Sequence, residues 1–250
     1  MTEHTIKQFD ADMEAIRTGV LTMGGLVEKQ LTRAISALEN DASEGLIDAV
    51  GADERQINQM QVTIDQQCSQ IIAKRQPAAG DLRMVLTIVK ITNDLERIGD
   101  EAKKVAYKAE SAENDKLVRV RFYDIVRAAG LAQRMLHMAL DAFARLDLDA
   151  AAEIVDFDDE LDASFAAILR QLISYMMEDP RTISASLEIV FMAKSIERIE
   201  GLPGIITSTG FKILSTKKEI GQRLDFLSKL HDRRALIRRE ARRPTIATRS

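Results

Sequence analysis

The stretch DLRMVLTIVKITNDLERIGDEA, residues 81–102, decides the fold of this 250-residue chain. Apolar residues recur in it at alternating spacings of four and three, at Met84, Ile88, Ile91, Leu95 and Ile98. Such spacing predicts a long amphipathic helix whose apolar face is buried against neighbouring helices. The same pattern runs through most of residues 6–110, where short breaks such as QPAAGD (76–81) separate three helical segments.

A second copy of this pattern begins about one hundred residues later. Shifted by 101 positions, the apolar residues above become Ala185, Ile189, Met192, Ile196 and Ile199, and LERI becomes IERI in the same register. Helical segments near 117–146, 149–178 and 182–200 complete the copy. A repeat of this kind indicates two similar structural units in tandem.

The composition agrees with a helical protein. Aromatic residues make up only 4% of the chain, tryptophan is absent, and there are 4 prolines and 12 glycines, which disfavours a β-sandwich or barrel. We therefore predict an all-α fold of two tandem antiparallel three-helix bundles, the second truncated in its last helix. The predicted boundaries are 1–112 for the first bundle, 113–203 for the second, and 204–250 for a basic, weakly structured extension.

Glu96 and Asp100 lie one helical turn apart on a polar stripe that we expect to face away from the apolar seam. Paired carboxylates of this kind can ligate a hard or borderline cation, especially if a neighbouring helix contributes oxygen ligands. The second helix carries Glu54 and Asn58 at the same spacing. These four residues form the candidate metal site of the first bundle.

The second repeat carries related residues. Asp158 and Asp162 lie on the fifth helix, and Glu197 lies on the sixth, where Gly201 replaces the second acid. Lys194 beside Glu197 favours a salt bridge at that position instead of a metal ligand. For the first site the alternative is ordinary solvated charge, in which Glu96 pairs with Arg97 or Lys103, because acid pairs at this spacing are common on exposed helices.

Catalytic chemistry has little support in the sequence. None of the three histidines follows a glutamate by three residues, the spacing of di-iron bundles, and no phosphate-binding loop or nucleophile motif is present. The single cysteine, Cys68, lies on an apolar face and is interpreted as a core residue. We predict a protein that is not an enzyme.

With LERIGD and its near-copy on the third helix of each bundle, the chain resembles the PhoU family over residues 6–200. The residues DLRMVLTIVKITNDLERIGDEA and FMAKSIERI (191–199) carry the resemblance. It implies a cytoplasmic protein, commonly homodimeric, that acts at the inner membrane face with the phosphate ABC transporter and the sensor kinase of the phosphate regulon. In that role it would repress the regulon and modulate phosphate uptake. The resemblance also implies a multinuclear iron or zinc cluster at the E/D-x-x-x-D motifs.

The chain departs from the family pattern after Ile199, where it reads EGLPGIITSTG (200–210). Pro203 falls on a core position, and a proline inside a helix costs about 3 kcal/mol, so we expect the sixth helix to end near Glu200. Residues 211–250 then carry 12 Lys/Arg against 4 Asp/Glu, although the whole chain has a net charge of −4. This tail is interpreted as a solvated extension, as an electrostatic contact to lipid or to the transporter, or as the product of an altered reading frame.

Two functions therefore remain open. The first is a metal-associated adaptor of phosphate homeostasis, and the second is a metal-free helical scaffold that binds partner helices. The acidic body of the chain argues against a nucleic-acid partner, and we predict no membrane span.

Overall fold

A computed structural model describes residues 2–40, 44–112, 122–145, 147 and 164–214, with the side chains of 2–6, 79 and 200–214 excepted. All the regular structure within these ranges is helical. The helices are α1 (Thr2–Glu39), α2 (Glu44–Arg75), α3 (Ala79–Ser111), α4 (Phe122–Arg145), α5 (residues 164–178), a 3-10 turn (Pro180–Thr182) and α6 (Ile183–Leu214). None of these helices has the length and apolar character needed to cross a lipid bilayer.

The apolar stripes form one continuous core. Ile16, Met23 and Leu31 of α1 and Ile88 and Ile98 of α3 are fully buried, as the spacing predicts. The copy behaves alike, since Ile189 and Ile199 are at most 1% exposed. The prediction of an all-α fold with two tandem helical repeats is thus confirmed.

One polar residue interrupts the apolar stripe of α2. Asp53 falls on a core position, and its side chain is 7% exposed. Arg33 of α1 forms an ion pair with it, and Nζ of Lys29 lies 3.8 Å from its Oδ1 atom. A buried carboxylate is tolerated when it is paired, so Asp53 links α2 to α1 without interrupting the helix.

The backbone conformation of Gln76 and the proline that follows it end α2 before α3 begins. Gln76 has a φ of 47°, which ends α2 in the left-handed conformation, and Pro77 cannot continue the helix. Ala78 occupies the N-cap of α3 without a side-chain hydrogen bond, and Asp81 lies in the first turn, where a negative charge interacts favourably with the helix dipole.

Helix α4 packs antiparallel on α1, which joins the second repeat to the first. His137 Nδ1 lies 2.9 Å from Oε1 of Glu28, and Gln133 donates a 2.6 Å hydrogen bond to Thr32. A shift of 105 residues places Glu28 on Gln133 and Thr32 on His137, so the two contacts exchange equivalent positions. That exchange is what an approximate twofold axis between the repeats requires.

Helices α3 and α6 form the second joint between the repeats. Lys108 pairs with Glu188 at 2.7 Å, and Arg198 donates a 3.1 Å hydrogen bond to Glu101. Positions rise along α3 as they fall along α6, so these helices are also antiparallel.

The expectation that the sixth helix ends near Glu200 is wrong. Helix α6 continues through Pro203 to Leu214, so the second bundle is not truncated at that point. A proline removes one backbone donor and crowds the carbonyl four residues earlier, but the following residues can still bond to carbonyls within the helix. Once nucleated, a helix is extended at little cost, and the residues after Pro203 are largely apolar. The domain boundaries at 112 and 203 stay predictions, and residues 215–250 lie outside the described part of the chain.

Candidate metal site between the second and third helices

The candidate site lies where the polar stripes of α2 and α3 face each other. Near one end Gln61 donates a 2.7 Å hydrogen bond to the side-chain oxygen of Asn93. Further along, Nζ of Lys103 lies 3.2 Å from Oε2 of Glu54. These two contacts fix the antiparallel register of the helices, and they place Glu96 and Asp100 between them on α3.

Glu54 and Asn58 form the α2 side of the site. The Asn58 amide nitrogen donates a 3.0 Å hydrogen bond to Oε1 of Glu54, as two side chains one turn apart can do. The other amide atom of Asn58, Oδ1, is buried, and none of the described residues forms a hydrogen bond with it. A buried oxygen without a partner costs about 1–3 kcal/mol. A water molecule or a cation at this oxygen would remove that cost.

Glu96 and Asp100 form the α3 side, and both are half-buried. Burial raises the pKa of Glu96, and the negative charges of Asp100 and Glu54 raise it further. Glu96 therefore experiences the negative charge of Asp100 on its own helix and of Glu54 on α2. The stripe is off the apolar seam, as expected, but α2 lies beside it, so Glu96 and Asp100 are less exposed than on an isolated helix face.

Lys103 is a part of the site whose role the sequence did not reveal. It follows Asp100 by three residues and Glu96 by seven, so all three share one stripe of α3. Its ammonium group also lies 5.9 Å from the centre of the Tyr107 ring. The spacing could have placed Lys103 near the acids, but its pairing with Glu54 depends on the register of α2.

Gly99 lets α3 lie close to the helices that support the site. A Cβ atom at this position would lie 2.9 Å from Oε1 of Gln30 and 3.2 Å from Cδ1 of Ile57. Gln30 is fully buried and donates to the carbonyl of Val50, so it has little room to move. The glycine of LERIGD thus serves packing, and it sets the depth at which the flanking acids lie.

The donor types of this site fit a hard or borderline cation. Carboxylate and amide oxygens are suitable ligands, and the unpartnered oxygen of Asn58 adds a donor that the protein itself leaves unused. However, among the side chains that the structure describes, no three Asp, Glu, His or Cys residues are placed to hold one ion. In this arrangement the positive charge beside Glu54 is the ammonium group of Lys103.

The predicted site of the second repeat is described only in part. Glu197 forms an ion pair with Lys194, as the sequence favoured, and Lys194 also lies 5.6 Å from the centre of the Phe165 ring. Asp158 and Asp162, the other predicted ligands, lie outside the described residues. The ligand roles of all seven predicted residues stay predictions.

Cys68, which lies outside the site, is buried as the sequence predicted. Cys68 is 1% exposed, and burial together with the charge of Asp65 raises the pKa of its thiol to about 11. The thiol is therefore protonated at neutral pH, as expected for a core residue. Gly24 admits a close contact between helices, whereas its neighbour Gly25 faces open space.

The chain is similar to known proteins across both repeats. The PhoU domain model matches residues 20–109 and 125–200, one match in each repeat. A phosphate-specific transport system accessory protein PhoU homolog from Pseudomonas aeruginosa is 47% identical over 204 residues, which are 80% of this chain and 82% of that protein. The phosphate-specific transport system accessory protein PhoU of Escherichia coli K12 is 45% identical over 202 residues, with the same coverage.

Solved structures give the same result. The crystal structure of PhoU from Pseudomonas aeruginosa aligns with a TM-score of 0.78 and 42% identity, over 82% of this chain and 98% of that one. A phosphate transport system regulatory protein PhoU from Streptococcus pneumoniae aligns with a TM-score of 0.74 at 23% identity and shows the shared fold. The matches in both repeats, together with the identity to the curated relatives, show that this chain belongs to the PhoU family.

Proposed function

We propose that this protein is an accessory protein of a phosphate-specific transport system and a negative regulator of the phosphate regulon. In this role it is a cytoplasmic adaptor between the phosphate ABC transporter and the sensor kinase, and it restrains uptake when phosphate is plentiful. The identity of 47% to a phosphate-specific transport system accessory protein, over 80% of the chain, carries the proposal. The aligned 204 residues are too many to lie within one repeat, so the similarity extends beyond the candidate metal site.

Deletion of the gene in its host tests this role. In phosphate-rich medium the deletion strain should express its phosphate-uptake genes strongly, and the parent chain supplied from a plasmid should repress them again. Expression that stays repressed in the deletion strain would overturn the assignment. Phosphate uptake measured in the same strains separates control of the transporter from control of its genes.

We further propose that the first repeat holds a metal ion or a multinuclear cluster, of iron or zinc, through Glu54, Asn58, Glu96 and Asp100. The support is the negative charge that Asp100 and Glu54 place beside the half-buried Glu96, together with the buried oxygen of Asn58, because a cation would relieve both. Bound metal would supply positive charge that ties α2 to α3. We keep Asp158, Asp162 and Glu197 as a second candidate set, weakened by the pairing of Glu197 with Lys194.

The second candidate function is a scaffold that binds partner helices without metal. The contact between Lys103 and Glu54 favours it, because an internal ion pair already neutralises part of the acidic cluster. Metal analysis of the protein purified without chelators separates the two. Iron or zinc that is lost in Glu96→Ala and Asp100→Ala supports the first function, and negligible metal in the parent supports the scaffold.

The adaptor role also includes a homodimer and a peripheral position at the inner membrane face. Crosslinking in cells, followed by identification of the products, tests both proposals. Products that contain the transporter's ATPase subunit or the sensor kinase would support the adaptor role. If neither is recovered under conditions that capture other soluble partners of the transporter, the position at the membrane face is wrong.

A further inference from the structure

Lys103 forms an ion pair with Glu54, one of the acids of the candidate metal site. Its Nζ atom lies 3.2 Å from Oε2 of Glu54, whose side chain is 13% exposed. The other oxygen of Glu54 accepts the hydrogen bond from Asn58. Both oxygens of the carboxylate are therefore contacted by side chains of the protein itself.

A metal ion bound to Glu54 would meet the ammonium group at close range. Two like charges in a partly desolvated groove repel strongly, since the effective dielectric there is well below that of water. The ammonium and a metal would therefore compete for the negative charge of Glu54. We therefore expect Glu54 to bind either the Lys103 ammonium group or a metal ion, and not both at once.

We propose that Lys103 and a divalent cation are alternative occupants of this cluster, so that a metal binds when the Lys103 ammonium leaves Glu54. The proposal rests on the metal site put forward above, and it adds a regulatory residue to that site. Affinity for the metal is then set by the strength of the Lys103–Glu54 pair as well as by the ligands.

The exchange needs movement of one side chain and not of a helix. Lys103 is 34% exposed, and its four-carbon stem can carry the ammonium toward solvent without moving α3. It lies beside Tyr107, whose hydroxyl is 3.3 Å from the position that a Cβ of Gly51 would take. Departure of Lys103 would change the surroundings of Tyr107, in a chain that has 3 tyrosines and no tryptophan.

Calorimetric titration with Mn²⁺ alone tests the exchange on the full chain. Lys103→Met removes the competing charge and should lower the dissociation constant on the order of tenfold. Lys90→Met is the matched control, because Lys90 is an exposed lysine of the same helix with no contact to Glu54, and it should leave the constant near that of the parent. Lys103→Gln repeats the test with a polar side chain if the methionine variant folds poorly.

The outcomes are distinct. Tighter binding in both Lys103 variants, with the control unchanged, supports the exchange. Equal binding in all four proteins, or weaker binding in the Lys103 variants, overturns the exchange and leaves the metal site intact. An absence of binding in every protein overturns the metal site, and the exchange falls with it.

Chemical labelling of lysines gives a readout that does not depend on affinity. When saturating Mn²⁺ is added to the parent protein, acetylation of Lys103, followed by mass spectrometry, should become faster because its amine no longer contacts Glu54. Lys90 serves as the internal reference and should react at an unchanged rate. A Lys103 rate that stays constant or falls in the metal-saturated protein would overturn the proposal.

Discussion

Leu140 of α4 packs directly onto Gly24 of α1. A Cβ atom at Gly24 would lie 2.5 Å from Cδ2 of Leu140 and 3.2 Å from its Cγ. Leu140 is 7% exposed, so its side chain cannot swing away into solvent. Among the described glycines, Gly24 is the one whose added Cβ atom would lie nearest to another side chain. This contact joins the first repeat to the second.

Replacement of Gly24 by alanine should therefore destabilise the protein. Alanine is favoured over glycine inside a helix by about 1 kcal/mol, but overpacking of a buried contact costs about 1–3 kcal/mol. We expect the free energy of unfolding, measured by urea denaturation, to fall by about 1 kcal/mol.

The neighbouring glycine provides the control. A Cβ atom at Gly25 would meet nothing within 4 Å, so Gly25→Ala should raise the free energy of unfolding by up to about 1 kcal/mol. In the background of Leu140→Ala, the cost of Gly24→Ala should disappear. If both glycine variants behave alike, the close packing at Gly24 is not the cause.

The fold could be predicted from the sequence as far as it depends on periodicity. The apolar stripe from Met84 to Ile98, and its copy from Ala185 to Ile199, identify the helices and their buried faces because core burial follows the helical repeat. The end of α6 could not be predicted in this way. The cost of Pro203 is local, whereas the length of a helix depends on the summed interactions of all its residues.

The site could be predicted in composition but not in arrangement. The shared spacing selected Glu54 of α2 and Glu96 of α3 as candidate ligands, and the charge of Glu54 is one of the causes that raise the pKa of Glu96. The role of Lys103 depends on how two antiparallel helices are aligned, which a single sequence does not specify. The same limit applies to Asp53, a polar residue on the apolar stripe of α2, because its partners Arg33 and Lys29 lie on another helix.

The joint between α3 and α6 should depend on Glu101. Its side chain is 9% exposed, and Oε1 accepts hydrogen bonds from Lys104 at 3.0 Å and Arg198 at 3.1 Å. Glu101→Gln removes the charge that both cations contact, so the free energy of unfolding at neutral pH should fall by about 1–3 kcal/mol. Glu188→Gln is the control, because Glu188 is 47% exposed and its pair with Lys108 should contribute less than about 1 kcal/mol.

The effect of Glu101→Gln should also depend on pH. Burial acts to raise the pKa of Glu101, but the hydrogen bonds from Lys104, Ser195 and Arg198 outweigh it, so the net pKa is lowered. A lowered pKa stabilises the folded state above the ordinary value of 4.5, and this stabilisation is lost as the pH falls through the folded pKa. The difference between parent and variant should therefore shrink in acid. A difference that is constant from neutral to acidic pH would contradict the charged role of Glu101.

Glu96 should show the opposite dependence on pH. Burial, and then the charges of Asp100 and Glu54, raise its pKa above the ordinary value of 4.5. The folded state then binds the proton more tightly than the unfolded state, so stability is lost as the pH rises from about 4.5 through the folded pKa. Glu96→Gln should stabilise the metal-free protein at neutral pH, by up to about 1 kcal/mol given its partial exposure.

Urea denaturation across the pH range checks this prediction. The advantage of Glu96→Gln should be largest at neutral pH and should vanish below 4.5, where both states of the parent carry a protonated Glu96. Metal is first removed with a chelator, because a bound cation would stabilise the Glu96 carboxylate and make Glu96→Gln less stable than the parent. If Glu96→Gln is less stable than the metal-free parent at neutral pH, the charge on Glu96 does not destabilise the folded state.

If the protein binds metal, the first repeat should hold it better than the second. In the first repeat Asp100 and Glu54 place negative charge beside Glu96, and a cation would relieve that repulsion. In the second repeat Glu197 is already neutralised by Lys194, and glycine stands at position 201 where a second acid would be needed. Metal bound per chain should therefore fall sharply in Glu96→Gln and Asp100→Asn, whereas Glu197→Gln should retain nearly all of it. Elemental analysis of the purified variants measures this, and a larger loss in Glu197→Gln than in Glu96→Gln would reverse the assignment of the stronger site.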